Sequence, residues 1–175
     1  AATDGDCVVR VDPWTGRELS EVSRRGELPR AKLGVVDVDA RSGRILCGDS
    51  NGLVRLLSSG APPVTIRASG TVVTAVRFSD DGRLAAWASD DGVVAIWDVA
   101  RGEHVFTVHP HSLRIRALAF SHDGRRLATG SEDMTIRLLD AETGADVLVQ
   151  RMGWAIAGAE FTPGGGAADS DRRRS

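Results

Sequence analysis

The sequence lacks the features that place a chain in a membrane or in a secretory pathway. No apolar run approaches the length of about 18 residues that a membrane-spanning helix needs, and the segment 1–9 contains acids where a signal peptide carries basic residues. The composition is 42% hydrophobic and 26% charged, which is typical of a globular protein. These features predict an intracellular, cytoplasmic protein, and they are also compatible with a nuclear location.

A strong net charge is also missing. The formal charge is −2 and the pI is near 6.1, so no overall basic field exists that would bind a nucleic acid or an anionic membrane. The one cluster of basic residues, 172–174, follows a glycine stretch and is interpreted as part of a solvated tail. The sequence therefore predicts neither a nucleic-acid partner nor a membrane partner.

Cysteine is scarce, and motifs for metals and nucleotides are missing. Cys7 and Cys47 lie in different strand-like segments without CxxC spacing, so they resemble small buried hydrophobes in a reducing compartment. His109 and His111 flank Pro110, but two ligands on a flexible link make a weak metal site. Neither GxxxxGK[ST] nor a GxGxxG between a strand and a helix occurs. We therefore predict no metal and no cofactor.

The chain does contain short alternating runs of Val, Ile, Leu and Thr between clusters of Gly, Asp, Ser and Pro, which is typical of an all-β protein. The clearest stretch is 71–102, and the residues 42 positions further on repeat it. Asp81-Gly82 then corresponds to Asp123-Gly124, and each pair supplies the positive φ that a tight hairpin requires. The chain is therefore predicted to be an array of similar units.

A period near 42 with the dipeptide Trp97-Asp98 resembles the WD40, or G-beta-type, repeat family. The resemblance implies an all-β, WD40-type β-propeller of four-stranded antiparallel sheets that stack radially, because no single sheet can bury both of its faces alone. About four blades' worth of such sheets are expected. The predicted units are 1–32 (partial), 33–69, 70–110, 111–152 and 153–163 (partial), followed by a Gly-rich and Arg-rich flexible tail at 164–175.

Rings of this family usually have more blades than this chain supplies. The preferred interpretation is that the chain forms part of a larger propeller, which further blades or a second chain complete. The alternative is a four-bladed ring in which the strand predicted at 154–161 pairs with the N-terminal strands, so that no sheet edge stays open.

The family carries a buried, hydrogen-bonded tetrad of His, Ser or Thr, Asp and Trp. In the unit 111–152 the tetrad-like residues are His111, Thr129 or Ser131, and Asp133. In the unit 70–110 they are Ser89, Asp91 and Trp97. In the unit 111–152, Leu139 stands at the position of the tryptophan. In the unit 70–110, Ser69 stands at the position of the histidine. A hydrolase interpretation is disfavoured because no GxSxG motif occurs and the tetrad is a packing device, so no catalytic residue is predicted.

Turn residues of the two clearest units fall on the rim that the family presents as its top face. The outer acids of these turns have no role in the hairpin and predict an acidic lip for a basic partner, bordered by arginines. Large aromatic residues are candidate anchors because they contribute strongly at interfaces. The candidate partner-binding residues are Asp90, Glu132, Arg114, Arg116, Trp14 and Trp154.

The function implied by the resemblance is a non-catalytic protein–protein interaction scaffold whose partners are other proteins or peptides. The alternative is a regulatory or sensor WD40 array of a larger protein with a separate catalytic or NTPase domain. An enzyme that is active on its own is the least favoured interpretation.

Overall fold

The computed structural model describes residues 2–4, 7–11, 18–21, 33–68, 70–162 and 167–168, with side chains for 34–66, 68 and 70–162. Within these ranges the chain forms strands and turns and no helix, so none of the described elements is a helix able to cross a membrane. Trp14, Ser69 and the basic run 172–174 lie outside the described residues, and the side chain of Cys7 is not described.

The first sheet is antiparallel and contains β1 (Ala2–Asp4), β2 (Cys7–Val11) and β3 (Glu18–Glu21) in that order. These strands lie within the segment 1–32, for which the sequence predicts a partial first unit.

Three four-stranded antiparallel sheets follow, which we call units 2, 3 and 4. In each of them the strands lie side by side in chain order, and the predicted all-β class with four-stranded antiparallel sheets is confirmed. Unit 2 contains β4 (Leu33–Val38), β5 (Ile45–Asp49), β6 (Leu53–Ser58) and β7 (Ala61–Arg67). Unit 3 contains β8 (Val73–Phe78), β9 (Leu84–Ser89), β10 (Val94–Asp98) and β11 (Glu103–Val108). Unit 4 contains β12 (Ile115–Phe120), β13 (Arg126–Ser131), β14 (Thr135–Asp140) and β15 (Asp146–Arg151).

The units stack through their first strands, since β8 packs between β4 and β12. One hydrophobic cluster lies between units 2 and 3 and includes Leu46, Val76 and Trp87. A second cluster lies between units 3 and 4 and includes Ile96 and Leu118. The core is therefore divided into layers between neighbouring sheets, which is the arrangement of propeller blades. We call the side with the turns between second and third strands the upper rim and the opposite side the lower rim.

A β-bulge near the start of the innermost strands corrects the predicted alternation. Strict alternation places Val73 and Ala75 on the same face of β8, opposite Val76. The pairing of β8 with β9 shifts between Val73 and Ala75, so Val73 joins Val76 in the cluster toward unit 2, whereas Ala75 faces unit 4. The prediction for Val73 is wrong because an extra residue in one strand reverses the side on which the following side chains lie.

Glycine and one methionine occupy the turns that need a positive φ. Gly82 and Gly124 each have φ of 69°, which confirms the predicted hairpin turns. In the upper-rim turns, Gly52 and Gly92 have φ of 76° and 83°. The corresponding residue of unit 4 is Met134, which adopts φ of 66° although it carries a side chain. This turn is therefore strained relative to its counterparts.

The predicted strand at 154–161 is shorter than expected. Only β16 (Glu160–Phe161) forms, and it pairs with β17 (Ala167–Ala168). The residues before β16 have no neighbouring strand among the described residues, so they lack the ladder that would make them extended. In the described part of the chain β1, β2 and β3 pair only with one another and β16 pairs with β17, so the strand pairing of the four-bladed alternative is not found among these residues.

Ile156 nevertheless takes the position that begins a unit. A Cβ atom added to Gly130 would lie 2.3 Å from Cγ2 of Ile156, and one added to Gly48 would lie 2.4 Å from Cγ1 of Val73. Both glycines thus allow the first inner-strand side chain of the next unit to approach the preceding sheet. Ile156 is 3% exposed, so this position is packed as it is between units 2 and 3.

Candidate functional site

A buried histidine lies at the centre of unit 4. His111, in the loop before β12, places Nε2 at 2.7 Å from Oγ1 of Thr129 and Nδ1 at 3.0 Å from Oδ2 of Asp133. Thr135 adds its hydroxyl at 2.9 Å from the same Nδ1 atom. His111 is 1% exposed and Thr129 is 0% exposed. The loop, the second strand and the upper-rim turn of unit 4 are thus joined through one imidazole ring.

The sequence offers two alternative hydroxyl partners for His111, those of Thr129 and Ser131. In the structure only the Thr129 hydroxyl contacts the imidazole. Ser131 instead donates from Oγ to the backbone carbonyl of Arg114 at 2.9 Å and accepts the N–H of Asp133 at 3.1 Å. Thr135 was missed by sequence reasoning, and its position two residues after Asp133 is the only local sign of its role. Leu139, at the tryptophan position, is 1% exposed and lies in the cluster between units 3 and 4.

The charge state of the network follows from its surroundings. Burial lowers the pKa of His111 below 6.5, against the opposing effect of the Asp133 carboxylate. Burial also opposes ionisation of Asp133, but hydrogen bonds from Thr135, the Ser112 N–H and His111 outweigh it and lower the pKa to about 2. At neutral pH a neutral imidazole therefore donates from Nδ1 to an ionised carboxylate and accepts at Nε2 from Thr129.

The order of hydroxyl, imidazole and carboxylate in this network is that of a hydrolase triad. A nucleophile must reach its substrate, whereas Thr129 is 0% exposed and His111 1% exposed. Both ring nitrogens of His111 are also engaged by side chains of unit 4. The geometry therefore suits a structural link, and no group of three or more metal-ligating residues occurs among the described residues.

Unit 3 brings together only part of its tetrad-like set. Ser89 donates from Oγ to Oδ1 of Asp91 at 2.5 Å. Trp97 lies further along β10, opposite Ala85. The residue of β9 that corresponds to Thr129 is Trp87, which is 1% exposed, and its indole N–H has no partner among the described residues. Unit 3 therefore fills the hydroxyl position with a large apolar side chain.

Two ion pairs hold the charged candidates on the upper rim. Arg114 donates from Nε to Asp90, which joins units 3 and 4. Arg116 donates from Nε to Glu132 at 2.6 Å within unit 4. The hydrogen bond and charge of Asp90 raise the pKa of Arg114. Each outer acid is thus neutralised by one of the two arginines, so these residues form a row of alternating charge instead of the expected acidic lip.

Exposed apolar side chains accompany this row. Trp154 is 52% exposed, Leu113 is 50% exposed and Met134 is 37% exposed. The N–H of Met152 donates to the carbonyl of Met134 at 2.7 Å, and the N–H of Ile156 to that of Ser131 at 3.1 Å. These bonds hold the segment that carries Trp154 along the β13–β14 turn. Sequence reasoning missed Leu113 and Met134, since loop position alone gives no sign of exposure.

These seven residues define what we call the upper-rim patch. Its members are Asp90, Leu113, Arg114, Arg116, Glu132, Met134 and Trp154.

The lower rim has a different character. A cleft of about 850 Å³ lies between units 3 and 4 and is lined by turn acids and arginines. The acids serve their own turns, as when Asp81 accepts the N–H of Arg83 at 2.9 Å and Asp123 accepts that of Arg125 at 3.0 Å. Their pKa values are lowered by hydrogen bonds from the hydroxyls of Ser79 and Ser121 respectively, followed by these N–H bonds. The carboxylates of Asp81 and Asp123 are therefore already engaged within their own turns.

Comparison with known proteins agrees with this architecture. The family described as WD domain, G-beta repeat matches residues 60–98 and 102–140. Each match runs from the last strand of one sheet through the first three strands of the next, so the sequence repeat links adjacent blades. No curated protein matches the chain.

A solved structure supports the same fold. A chain in the crystal structure of the mitotic checkpoint complex, a WD40 propeller, is similar with a TM-score of 0.77 and 19% identity. The similarity covers 90% of this chain and 48% of that one, so the present chain spans about half the length of the propeller chain. Repeat matches, sheet topology and structural similarity agree: the segments 60–98 and 102–140 match WD40 repeats, and the described sheets have the all-β fold of the propeller type.

Proposed function

We propose that the chain is a non-catalytic protein–protein interaction scaffold and that the upper-rim patch is its contact surface. WD40 repeats are generally protein-interaction scaffolds, and a cytoplasmic, intracellular location accords with this role. The observation that supports the surface is the conjunction of Trp154, Leu113 and Met134 with the row of alternating charge.

The patch contains several residue types that protein interfaces favour. Tryptophan, methionine and arginine are enriched at protein interfaces, and tryptophan and arginine dominate the residues whose truncation weakens binding most. Trp154 is 52% exposed although its segment is held by backbone bonds. An exposed indole on a fixed segment loses little conformational entropy when a partner covers it, which favours affinity.

The charges indicate the kind of partner. Asp90 and Arg114 form a pair across two units, whereas Arg116 and Glu132 lie within one. A segment with a bulky apolar anchor flanked by residues of both signs would match this alternation, and a segment of one sign would not. We therefore propose a peptide or protein segment of mixed charge as the partner, which replaces the basic partner expected from the sequence.

A library of displayed random peptides, selected on the wild-type chain, tests the proposal. Selected peptides should bind Trp154→Ala about tenfold more weakly or worse and should bind Val64→Ala with unchanged affinity. Val64 is a matched control because it is 46% exposed on β7, away from the upper-rim patch. Failure to select any peptide, or equal loss of binding in both variants, would show that this patch is not the contact surface.

The alternative, a regulatory array within a larger protein, is favoured by one observation. Ile156 occupies the starting position of a further unit against Gly130, as expected where more blades follow. We propose that further blades or a second chain complete the propeller. A parent reading frame that encodes additional repeats and a kinase or NTPase motif would support this alternative, and a parent frame without either would contradict it.

A further inference from the structure

Among the non-glycine residues that the structure describes, only Met134 has a positive φ. This conformation raises the free energy of a residue with a side chain, whereas Gly52 and Gly92 adopt it freely at the same position of units 2 and 3. The Met134 side chain belongs to none of the hydrophobic clusters that the described residues form. Packing within the fold therefore does not explain why a side chain stands there.

Backbone strain of this kind persists where the surrounding structure enforces it, and it is concentrated at sites of binding and catalysis. Here the N–H of Met134 donates to the carbonyl of Ser131 at 3.2 Å, and the carbonyl of Met134 accepts the N–H of Met152 at 2.7 Å. Backbone atoms make both bonds, so glycine would form them equally well. The contribution specific to methionine is its exposed side chain on the upper rim.

Ser131 brings together the segments that carry the apolar side chains of the upper-rim patch. It is fully buried, and its Oγ lies 3.1 Å from the carbonyl oxygen of Leu113. Its own carbonyl accepts the N–H of Met134 and that of Ile156, which lies two residues after Trp154. Three separate segments therefore meet at one buried residue, which places Leu113, Met134 and Trp154 around one point of the rim.

The chemistry of these side chains favours one class of apolar partner residue. The indole of Trp154 pairs well with another aromatic ring. The thioether of Met134 also makes favourable contacts with aromatic rings, and its rotatable bonds let it adapt to their shape. Leu113 adds apolar area without such a preference. Two of the three side chains thus favour an aromatic residue over an aliphatic one of similar size.

We propose that Met134 determines the specificity of the upper-rim patch and that the apolar anchor of the partner segment is an aromatic side chain held between Met134 and Trp154. The inference rests on the proposed function, in which this patch binds a segment of mixed charge. The row of alternating charge on the same rim then meets the charged residues on either side of the anchor. The strained turn lowers the stability of the free chain and presents a side chain that contributes only in the complex.

Met134→Gly separates binding from folding, because the two should change in opposite directions. Peptides selected on the wild-type chain should share an aromatic residue at one position. They should bind Met134→Gly about tenfold more weakly or worse, although this variant should unfold at a higher urea concentration than the wild type. Affinities are measured by isothermal titration calorimetry, with Val64→Ala as the control of unchanged affinity. A purely structural role of Met134 would leave the binding to the more stable variant unchanged.

Two further variants isolate the side chain from the backbone. Met134→Ala keeps a side chain at positive φ but removes the thioether, so it should bind as weakly as Met134→Gly. Met134→Leu keeps the apolar bulk without the sulfur and should bind the aromatic peptides about threefold more weakly than the wild type. After the aromatic anchor is replaced by leucine, the peptide should bind the wild type and Met134→Leu equally. If that replacement weakened binding to both chains by the same factor, the preference of Met134 for an aromatic ring would be overturned.

The outcomes distinguish this inference from the proposed function. If no peptide is selected, or if Trp154→Ala binds as tightly as the wild type, the patch is not the contact surface and both proposals fail. If Trp154→Ala binds weakly but Met134→Gly and Met134→Ala bind as the wild type does, only the role of Met134 is overturned. Selected peptides without a shared aromatic position would likewise contradict the aromatic anchor alone.

Discussion

The Nδ1 atom of His111 lies 3.0 Å from Oδ2 of Asp133, and this contact joins the loop before β12 to the upper-rim turn of unit 4. The imidazole is fully buried, whereas the Asp133 side chain is 11% exposed. In the folded chain an ionised carboxylate contacts a neutral imidazole. Unfolding would expose both groups to water. The network should therefore contribute to stability in a pH-dependent way.

Acidification should weaken the fold through Asp133. Its pKa is 3.8 in the unfolded chain and about 2 in the folded one, so the unfolded state binds more protons between these values. The contribution of Asp133, about 2 kcal/mol, is complete above pH 3.8 and is lost as the pH falls toward 2. The free energy of unfolding is measured in urea for the wild type and Asp133→Asn between pH 2 and pH 5, with pH steps of about half a unit. It should depend less steeply on pH in the variant. Parallel curves would contradict the assignment.

Thr129→Val should destabilise the chain by about 1–3 kcal/mol, because the isosteric side chain leaves Nε2 of His111 buried without its partner. Ser131→Ala is a useful comparison, since Ser131 bonds to backbone groups and not to the imidazole. In Thr129→Val the His111 ring signals should shift in a ¹⁵N NMR spectrum, whereas in Ser131→Ala they should stay in place. Shifts of equal size in both variants would mean that the ring does not distinguish the two hydroxyls.

Met134→Gly should stabilise the protein by about 0.5–1 kcal/mol. A side chain at positive φ costs about 1–2 kcal/mol, part of which is offset by the greater freedom of glycine in the unfolded chain. The opposite change at the corresponding position of unit 3, Gly92→Ala, should be strongly destabilising, because its Cβ would lie 2.1 Å from the carbonyl oxygen of His111. The urea concentrations at the midpoint of unfolding measure the stability of both variants. If Met134→Gly were less stable than the wild type, the backbone strain inferred at Met134 would be contradicted.

Arg55→Leu should cost about 3–5 kcal/mol, since it leaves the Asp49 carboxylate buried without its counter-charge. The Arg55–Asp49 ion pair is 2.9 Å long, and its side chains are 3% and 0% exposed. Arg137 is the corresponding residue of unit 4 and pairs with Asp146, which is 42% exposed. Arg137→Leu should therefore cost much less, and equal losses in urea unfolding would show that burial does not decide the cost.

The strands of units 2 to 4 could be predicted from the sequence because alternation and turn residues act locally. The orientation of Val73 could not, because a bulge depends on the register between two strands. Thr129 and Ser131 lie two residues apart on one strand, and only the position of the loop carrying His111 separates their roles. The Asp90–Arg114 pair joins residues of different units, so the neutral rim emerges only when the sheets are stacked.

Strand order within units 2 to 4 also bears on how the protein folds. Each strand pairs with its neighbour in the sequence, so a unit can close its own ladder with short loops and little loss of chain entropy. Only the apolar layers between adjacent sheets couple one unit to the next. The chain should thus open unit by unit from an exposed end, with cooperativity that extends only to the nearest neighbour.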